Sequence, residues 1–212
     1  TLVIGPGGGS DVLVALASGS PEVTAVELNP LVLRFVRHFG PRAGNLYDHP
    51  QVRTVLSEGR NFLSRHDDRY DVIFLGFVDS WAAVASGGLS LSENYLYTVE
   101  AFRLYFQRLT STGMLSVSRW VAAVAVTEVP RAVLLAQQAL REEGIAEPNA
   151  HLAVLQGFKI GTLLVSRQPF TSSEIDTLSA IARRRGFRLL FPAPALANPI
   201  AAVAMRGPEV FR

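Results

Sequence analysis

Four glycines within five positions, in Gly5-Pro6-Gly7-Gly8-Gly9, stand directly after the apolar run Leu2-Val3-Ile4 and directly before Ser10-Asp11. A strand, a sharp turn and a helix start in that order form the setting in which a glycine loop can wrap a nucleotide. The chain must pass close to the ligand, and a Cβ there would meet the ligand or the first helix. Backbone N–H groups at the helix start face such a ligand and favour an anionic or polar group. A tight βα turn with no ligand is the bland alternative. Dinucleotide sites prefer G-x-G-x-x-G, whereas glycines here fall at 5, 7 and 9 with serine at 10. That spacing favours an adenosyl ligand without a central pyrophosphate over a nicotinamide dinucleotide.

Three acids follow later apolar runs. Glu27 ends the run Val23 to Glu27, eighteen residues beyond Gly9, and a carboxylate there can accept both ribose hydroxyl protons. It could equally be an exposed strand-end acid. Glu58, in Leu56-Ser57-Glu58-Gly59-Arg60, would lie beside the adenine at the same sheet edge, or cap the helix that follows it. Asp79, in Gly76-Phe77-Val78-Asp79-Ser80-Trp81, falls where the strand order should reverse. An acid there can hold an amine and accept its proton during attack on a sulfonium carbon. Amines with a pKa of about 10 are protonated in neutral water, so a nucleophilic amine needs both a proton acceptor and partial desolvation. A loop-capping aspartate is the alternative. Trp81, Tyr95 and Tyr97 line that pocket or belong to lid and core packing, and Asp71, at the start of the fourth run, faces the opposite edge.

The elements that must position these groups follow from hydrophobic periodicity. Leu2 to Ile4, Val23 to Glu27, Val52 to Leu56, Tyr70 to Phe77 and Met114 to Val117 read as strands. They alternate with helices over Val12 to Ala17, Leu31 to Phe39 opened by Pro30, Gly59 to Ser64, residues 98 to 109 capped by Thr98, and Val129 to Glu143. Alternation of this kind predicts a parallel sheet covered on both faces. The helix from 98 is expected to run on to about Thr112-Gly113, and residues 78 to 97 form a long crossover of the sort that serves as a lid or binding loop. His151 to Leu155 and Ile160 to Ser166 are joined by Gln156 to Lys159, too short for a crossover helix, so they must pair antiparallel. A last helix, Phe170 to Arg185, opens on a capping box, Thr171 with Glu174 or Ser173 with Asp176. A terminal strand and an irregular tail follow over residues 186 to 212. The resulting division is a nucleoside-binding unit over 1–170, with 171–212 as a helix, strand and tail packed on it.

Composition narrows the function further. The 212 residues are 49% apolar and 18% charged, with no cysteine, which excludes cysteine nucleophiles, disulfides and cysteine-ligated zinc. Every long apolar stretch is interrupted by charge, against a membrane span. Twenty basic and eighteen acidic side chains leave a net charge of +2, too weak a bias to indicate nucleic acid binding. His38, His49, His66 and His151 are scattered and show no metal-ligand spacing. There is no G-x-S-x-G elbow.

Taken as an ordered set, LVIGPGGGSDVLVAL at 2 to 16, VTAVELNP at 23 to 30, SEGRNFL at 57 to 63, YDVIFLGFVDS at 70 to 80 and LYTVEAFRLYFQRLTSTGMLSV at 96 to 117 resemble the spermidine synthase family, over about residues 1 to 166. The resemblance implies the class I S-adenosylmethionine-dependent methyltransferase fold: a doubly wound, mostly parallel seven-stranded sheet with a terminal antiparallel hairpin. It implies transfer of an aminopropyl group from decarboxylated S-adenosylmethionine to a polyamine such as putrescine, with no metal. Methyl transfer from S-adenosylmethionine to another small molecule, and a nucleoside-binding module that has lost catalysis, stand as alternatives. By position, Gly5, Gly7 and Gly9 resemble the nucleoside loop, Glu27 the ribose acid and Glu58 the acid near adenine. The family's Asp-Ser-Ser-Asp run is matched by Gly76 to Asp79, so only the second acid is kept, and a polyamine-facing tyrosine is matched by Leu155, with Lys159 in the following turn. A small upstream β domain encloses the polyamine in the family. Because this chain opens inside a strand, it is expected to be the cytoplasmic catalytic portion of a longer chain, with a homodimer as its expected assembly.

Overall fold

The computed structural model describes residues 1–78, 95–121 and 128–192. Eight strands form one sheet: β1 (Leu2–Ile4), β2 (Val23–Glu27), β3 (Val52–Leu56), β4 (Tyr70–Leu75), β5 (Leu109–Trp120), β6 (Leu152–Gly157), β7 (Ile160–Ser166) and β8 (Arg188–Phe191). Among the described residues six α-helices join them: α1 (Ser10–Ala17), α2 (Pro30–His38), α3 (Gly59–Arg65), α4 (Val99–Gln107), α5 (Glu128–Glu142) and α6 (Ser172–Arg184). The spatial order is β3-β2-β1-β4-β5-β7-β6-β8. Strands β1 to β5 run parallel, with Val3 opposite both Ala25 and Phe74, whereas β7 pairs antiparallel with β5 and with β6. The order therefore reverses between β1 and β4, the place where open α/β sheets leave a crevice beyond their strand ends.

Both faces of the sheet are covered, which is why its inner strands are apolar at successive positions rather than alternate ones. Val3 packs with Val12 and Ala15 of α1 and Leu33 of α2 on one side. Its neighbours Leu2 and Ile4 pack on the other, with Phe62 and Leu63 of α3, Phe102 and Tyr105 of α4 and Val133 of α5. One three-residue strand thus anchors two cores, since successive side chains point to opposite faces. Two helix starts carry the expected caps. Thr98 Oγ1 accepts from the Ala101 N–H at 3.2 Å at the start of α4, and Thr171 with Glu174 forms the full capping box of α6. Asn29, which the sequence did not single out, caps α2 by accepting from the Leu31 N–H at 2.9 Å with Pro30 in the first turn.

Two expectations are corrected. The sheet has eight strands, not seven, because Arg188–Phe191 pairs antiparallel with β6. An apolar strand such as β6, with Leu152, Ala153 and Val154 buried, would otherwise present unpaired backbone at its edge. The helix before β5 ends at Gln107 rather than near Gly113, and β5 starts at Leu109. The β4–β5 register shifts between Tyr70 and Val72, and a Cβ at Gly113 would come within 2.7 Å of the Tyr70 carbonyl oxygen. Glycine at 113 thus serves a close strand approach at an irregularity, not the end of a helix.

Candidate functional site

The glycine loop leaves β1 at the reversal of strand order. Gly5, Gly7 and Gly9 all have positive φ, at 66°, 52° and 91°, the left-handed region that only glycine enters without strain. Gly5 N–H continues the ladder to the Val26 carbonyl at 2.9 Å, and Gly9 N–H closes a turn on the Pro6 carbonyl at 2.8 Å. A Cβ at Gly9 would lie 2.6 Å from Leu46 Cδ2 and 3.3 Å from Tyr47 Cε1, whereas a Cβ at Gly7 or Gly8 would meet nothing within 4 Å. The loop is thus packed on its inner side and open at its crest. Gly9→Ala is expected to cost about 1–3 kcal/mol of stability from strain and overpacking, read from urea unfolding. Gly7→Ala, strained but unclashed, should cost less.

Glu27, only 7% exposed at the end of β2, turns its carboxylate toward this loop. Oε2 accepts from the Gly7 N–H at 3.3 Å and Oε1 from the Asn29 N–H at 2.8 Å. The other side of the Gly7 residue is held by Tyr47, whose hydroxyl donates to the Gly7 carbonyl at 2.6 Å. Tyr47 is buried between the turn after α2 and β3. Burial, followed by the charges of Glu27 and Asp11, pushes its phenol well above the ordinary range, so it stays a donor at neutral pH. Both backbone groups of Gly7 are therefore fixed from side chains twenty and forty residues away. The sequence reading missed Tyr47. Its one available signal was a tyrosine among polar residues in a loop, which is too common to single out.

Glu58 lies one strand further out, since Ser57 N–H donates to the Glu27 carbonyl at 3.0 Å and so continues the β2–β3 ladder. Its two carboxylate oxygens cap α3, accepting from Arg60 N–H at 2.8 Å and Asn61 N–H at 2.7 Å. Gly59 follows because a Cβ there would collide with Ile4 Cγ2 on β1. Glu58→Ala is expected to lower stability by about 1 kcal/mol through loss of the cap, checked by chemical denaturation.

Beyond β4, the ring of Phe77 packs against Trp120 of β5 at 4.5 Å, while the Arg119 guanidinium sits 4.3 Å above the Tyr97 ring. Arg119 also pairs with Glu128 at the start of α5. Tyr97 is thereby held at the end of β5, and Tyr95 is exposed. Asp79 and Trp81 lie outside the described residues. Asp71 faces the opposite edge, where its Oδ1 accepts from the Thr110 hydroxyl at 2.9 Å. The β6–β7 connection is tighter than the span Gln156 to Lys159, because Gly157 pairs directly with Ile160. Phe158 at its tip has φ 45° and is 91% exposed. Among the described residues no group of three His, Asp or Glu side chains could hold a metal, and no helix is long and apolar enough to cross a membrane.

A doubly wound α/β sheet with a glycine loop, a strand-end acid and a crevice at the reversal of strand order defines a broad class of Rossmann-like proteins. Within it, the model of the spermine/spermidine synthase domain matches residues 1–127, and the chain belongs to that family. It is 24% identical over 115 residues to a polyamine aminopropyltransferase of Korarchaeum cryptofilum, covering 54% of this chain and 33% of the relative. The chain spans about a third of the length of the curated relatives it matches. Spermidine synthase from Thermotoga maritima superposes with a TM-score of 0.60 at 18% identity, over 82% of this chain and 55% of the other. Human methyltransferase-like protein 13 in complex with SAH does so with a TM-score of 0.57 at 17% identity, over 86% and 79%. At such identities the structural likeness shows the fold alone.

Proposed function

We propose that this chain is the donor-binding and catalytic part of an aminopropyltransferase, moving the aminopropyl group of decarboxylated S-adenosylmethionine onto a polyamine such as putrescine. The observation that carries the reading is the fixed Gly7 residue beside the Glu27 carboxylate at the reversal of strand order. A carboxylate has about four lone-pair sites. Each Glu27 oxygen accepts one N–H, so each keeps a site for one ribose hydroxyl. Gly5, Gly7 and Gly9 would wrap the adenosine, with the open crest at Gly7 and Gly8 leaving room for it. Glu58, already spent on its helix cap, would border the adenine from the neighbouring strand end. Trp81, Tyr95 and Tyr97 would line the acceptor side.

In the transfer, the amine lone pair forms a bond to the propyl carbon attached to the sulfonium. The carbon–sulfur bond breaks with its electrons going to sulfur, and methylthioadenosine leaves as a neutral thioether. The new secondary ammonium gives up a proton, which Asp79 would accept. Because the sulfonium already supplies the leaving group, the protein contributes orientation and proton acceptance. Residues 1–170 would form the nucleoside-binding unit and residues 171–212 an addition to it, with a homodimer as the assembly. Calorimetry with decarboxylated S-adenosylmethionine, followed by assay of spermidine and methylthioadenosine formed with putrescine, tests the reading. Donor binding with product formation supports it. Binding of S-adenosylmethionine alone, with methylation of a small acceptor, replaces it by methyl transfer.

A further inference from the structure

Helix α2 is apolar on two sides. Leu33 is buried against the sheet and Val36 packs on the same core, with Val3 and Val12. The outer side carries Leu31, Arg34, Phe35, His38 and Phe39, with Arg42 just beyond the helix end, and all six are exposed. Steps of three and four residues put side chains in one row along a helix. Leu31 is 60% exposed and Phe35 66%, and the rings of Phe35 and Phe39 meet each other at 4.8 Å. A surface helix ordinarily turns its apolar stripe to the core and its polar residues to water. Here large apolar side chains stand on the water side as well.

The charges in this row have one sign. No Asp or Glu occurs between Glu27 and Asp48, a span that holds Arg34, Arg37, His38 and Arg42. Asp48 answers Arg37 at 3.0 Å, whereas Arg34 and Arg42 take part in no ion pair among the described residues. A single exposed leucine or phenylalanine is ordinary, but three in a row interleaved with arginine make a patch of the kind that marks a contact surface. A second copy of this chain fits it poorly. A two-fold interface sets a patch against itself, so Arg34 and Arg42 would face arginines with no acid in the row to receive them. A nucleic acid would answer the arginines but gain little from Leu31.

We infer that the outer face of α2 docks on an anionic lipid surface, with Leu31, Phe35 and Phe39 entering the boundary between headgroups and acyl chains and Arg34 and Arg42 held at the phosphates. Arginine suits that depth because its stem is apolar while its guanidinium stays in the headgroup layer. The inference goes beyond the transfer reading and does not depend on it. Since α2 joins β2 to β3 and lies on a face of the sheet, contact there leaves the crevice beyond the strand ends uncovered.

The test is co-sedimentation of the full chain with vesicles of phosphatidylcholine alone, or of phosphatidylcholine and phosphatidylglycerol in equal parts. The chain is expected to pellet with the anionic vesicles and not with the neutral ones, and to be released by salt as the arginine contacts are screened. Phe35→Ser should weaken binding about 10-fold or more, from the apolar surface it no longer buries. Arg34→Glu should weaken it about fivefold or more, roughly the contribution of one basic residue near an anionic surface. Phe158→Ser, which removes an exposed phenylalanine at the β6–β7 tip, should bind like the parent. Both α2 side chains are exposed, so the urea midpoints of their variants should stay with the parent's, which separates lost docking from lost folding. Equal binding to both kinds of vesicle, binding to neither, or binding that survives both α2 substitutions would overturn the inference. A dimer in sedimentation equilibrium that Phe35→Ser dissolves would overturn it in favour of a second copy. Phe35-dependent binding of a single-stranded DNA oligonucleotide, with none to vesicles, would give the face to nucleic acid instead.

Discussion

Glu27→Ala is expected to weaken decarboxylated S-adenosylmethionine by about 100-fold or more, since two hydrogen bonds to a charged acceptor, each contributing about 1.5–3 kcal/mol, are lost together. The figure is a lower bound on the damage to the site. The same carboxylate accepts the Gly7 and Asn29 N–H groups, so alanine also frees the loop and leaves two partly buried donors without an acceptor. Stability should fall by about 1–3 kcal/mol. Glu27→Gln separates the two roles: one amide oxygen can keep the shorter bond to Asn29, while the second ribose hydroxyl faces an NH2 that cannot accept from it. Calorimetry beside urea unfolding resolves the pair. Unchanged nucleoside affinity in Glu27→Ala would leave the residue as a loop anchor only.

The second large effect is on turnover. Asp79→Asn is expected to lower kcat by about 10²- to 10⁴-fold, the range for removal of a general base, with donor affinity changed by less than about threefold. In the sequence it follows Gly76 by three residues, and on the proposed reading a side chain that only accepts a proton in the transition state should alter kcat rather than donor binding. Single-turnover product formation at saturating donor measures this. In the variant, raising pH should recover part of the rate, because more of the attacking amine is then already neutral. A parent-like rate would take Asp79 out of the mechanism. Loss of donor binding in step with rate would move it to the donor side.

The turn through Gly5, Gly7 and Gly9 and the place of Glu27 at the end of β2 were legible in the sequence because local rules place them. A turn that must adopt positive φ calls for glycine, and an acid ending a buried strand stands out among apolar neighbours. Glu58 shows the limit of that legibility. Its position at a strand end carried two readings, and the cap on α3 is the one whose partners are local in sequence. The hairpin of β6 and β7 was legible because four intervening residues cannot hold a crossover. The extent of β5 was not, since Thr110 to Gly113 looks like a helix end and is drawn into the ladder by pairing with β4.

By itself the sequence determined the alternation of strands and helices, the parallel half of the sheet, the antiparallel hairpin and the loop–acid pair at the first two strand ends. Those features rest on periodicity and on residues with few conformational alternatives, so they survive without knowledge of what packs against them. Tertiary structure alone decided that β8 covers the edge of β6, that Tyr47 secures Gly7 from forty residues away, and that Asp11 fills the space beside Gly76. Each depends on two segments distant in the chain meeting at atomic contact. Local patterns carry no term for such meetings, because the residues involved are ordinary until the sheet brings them together.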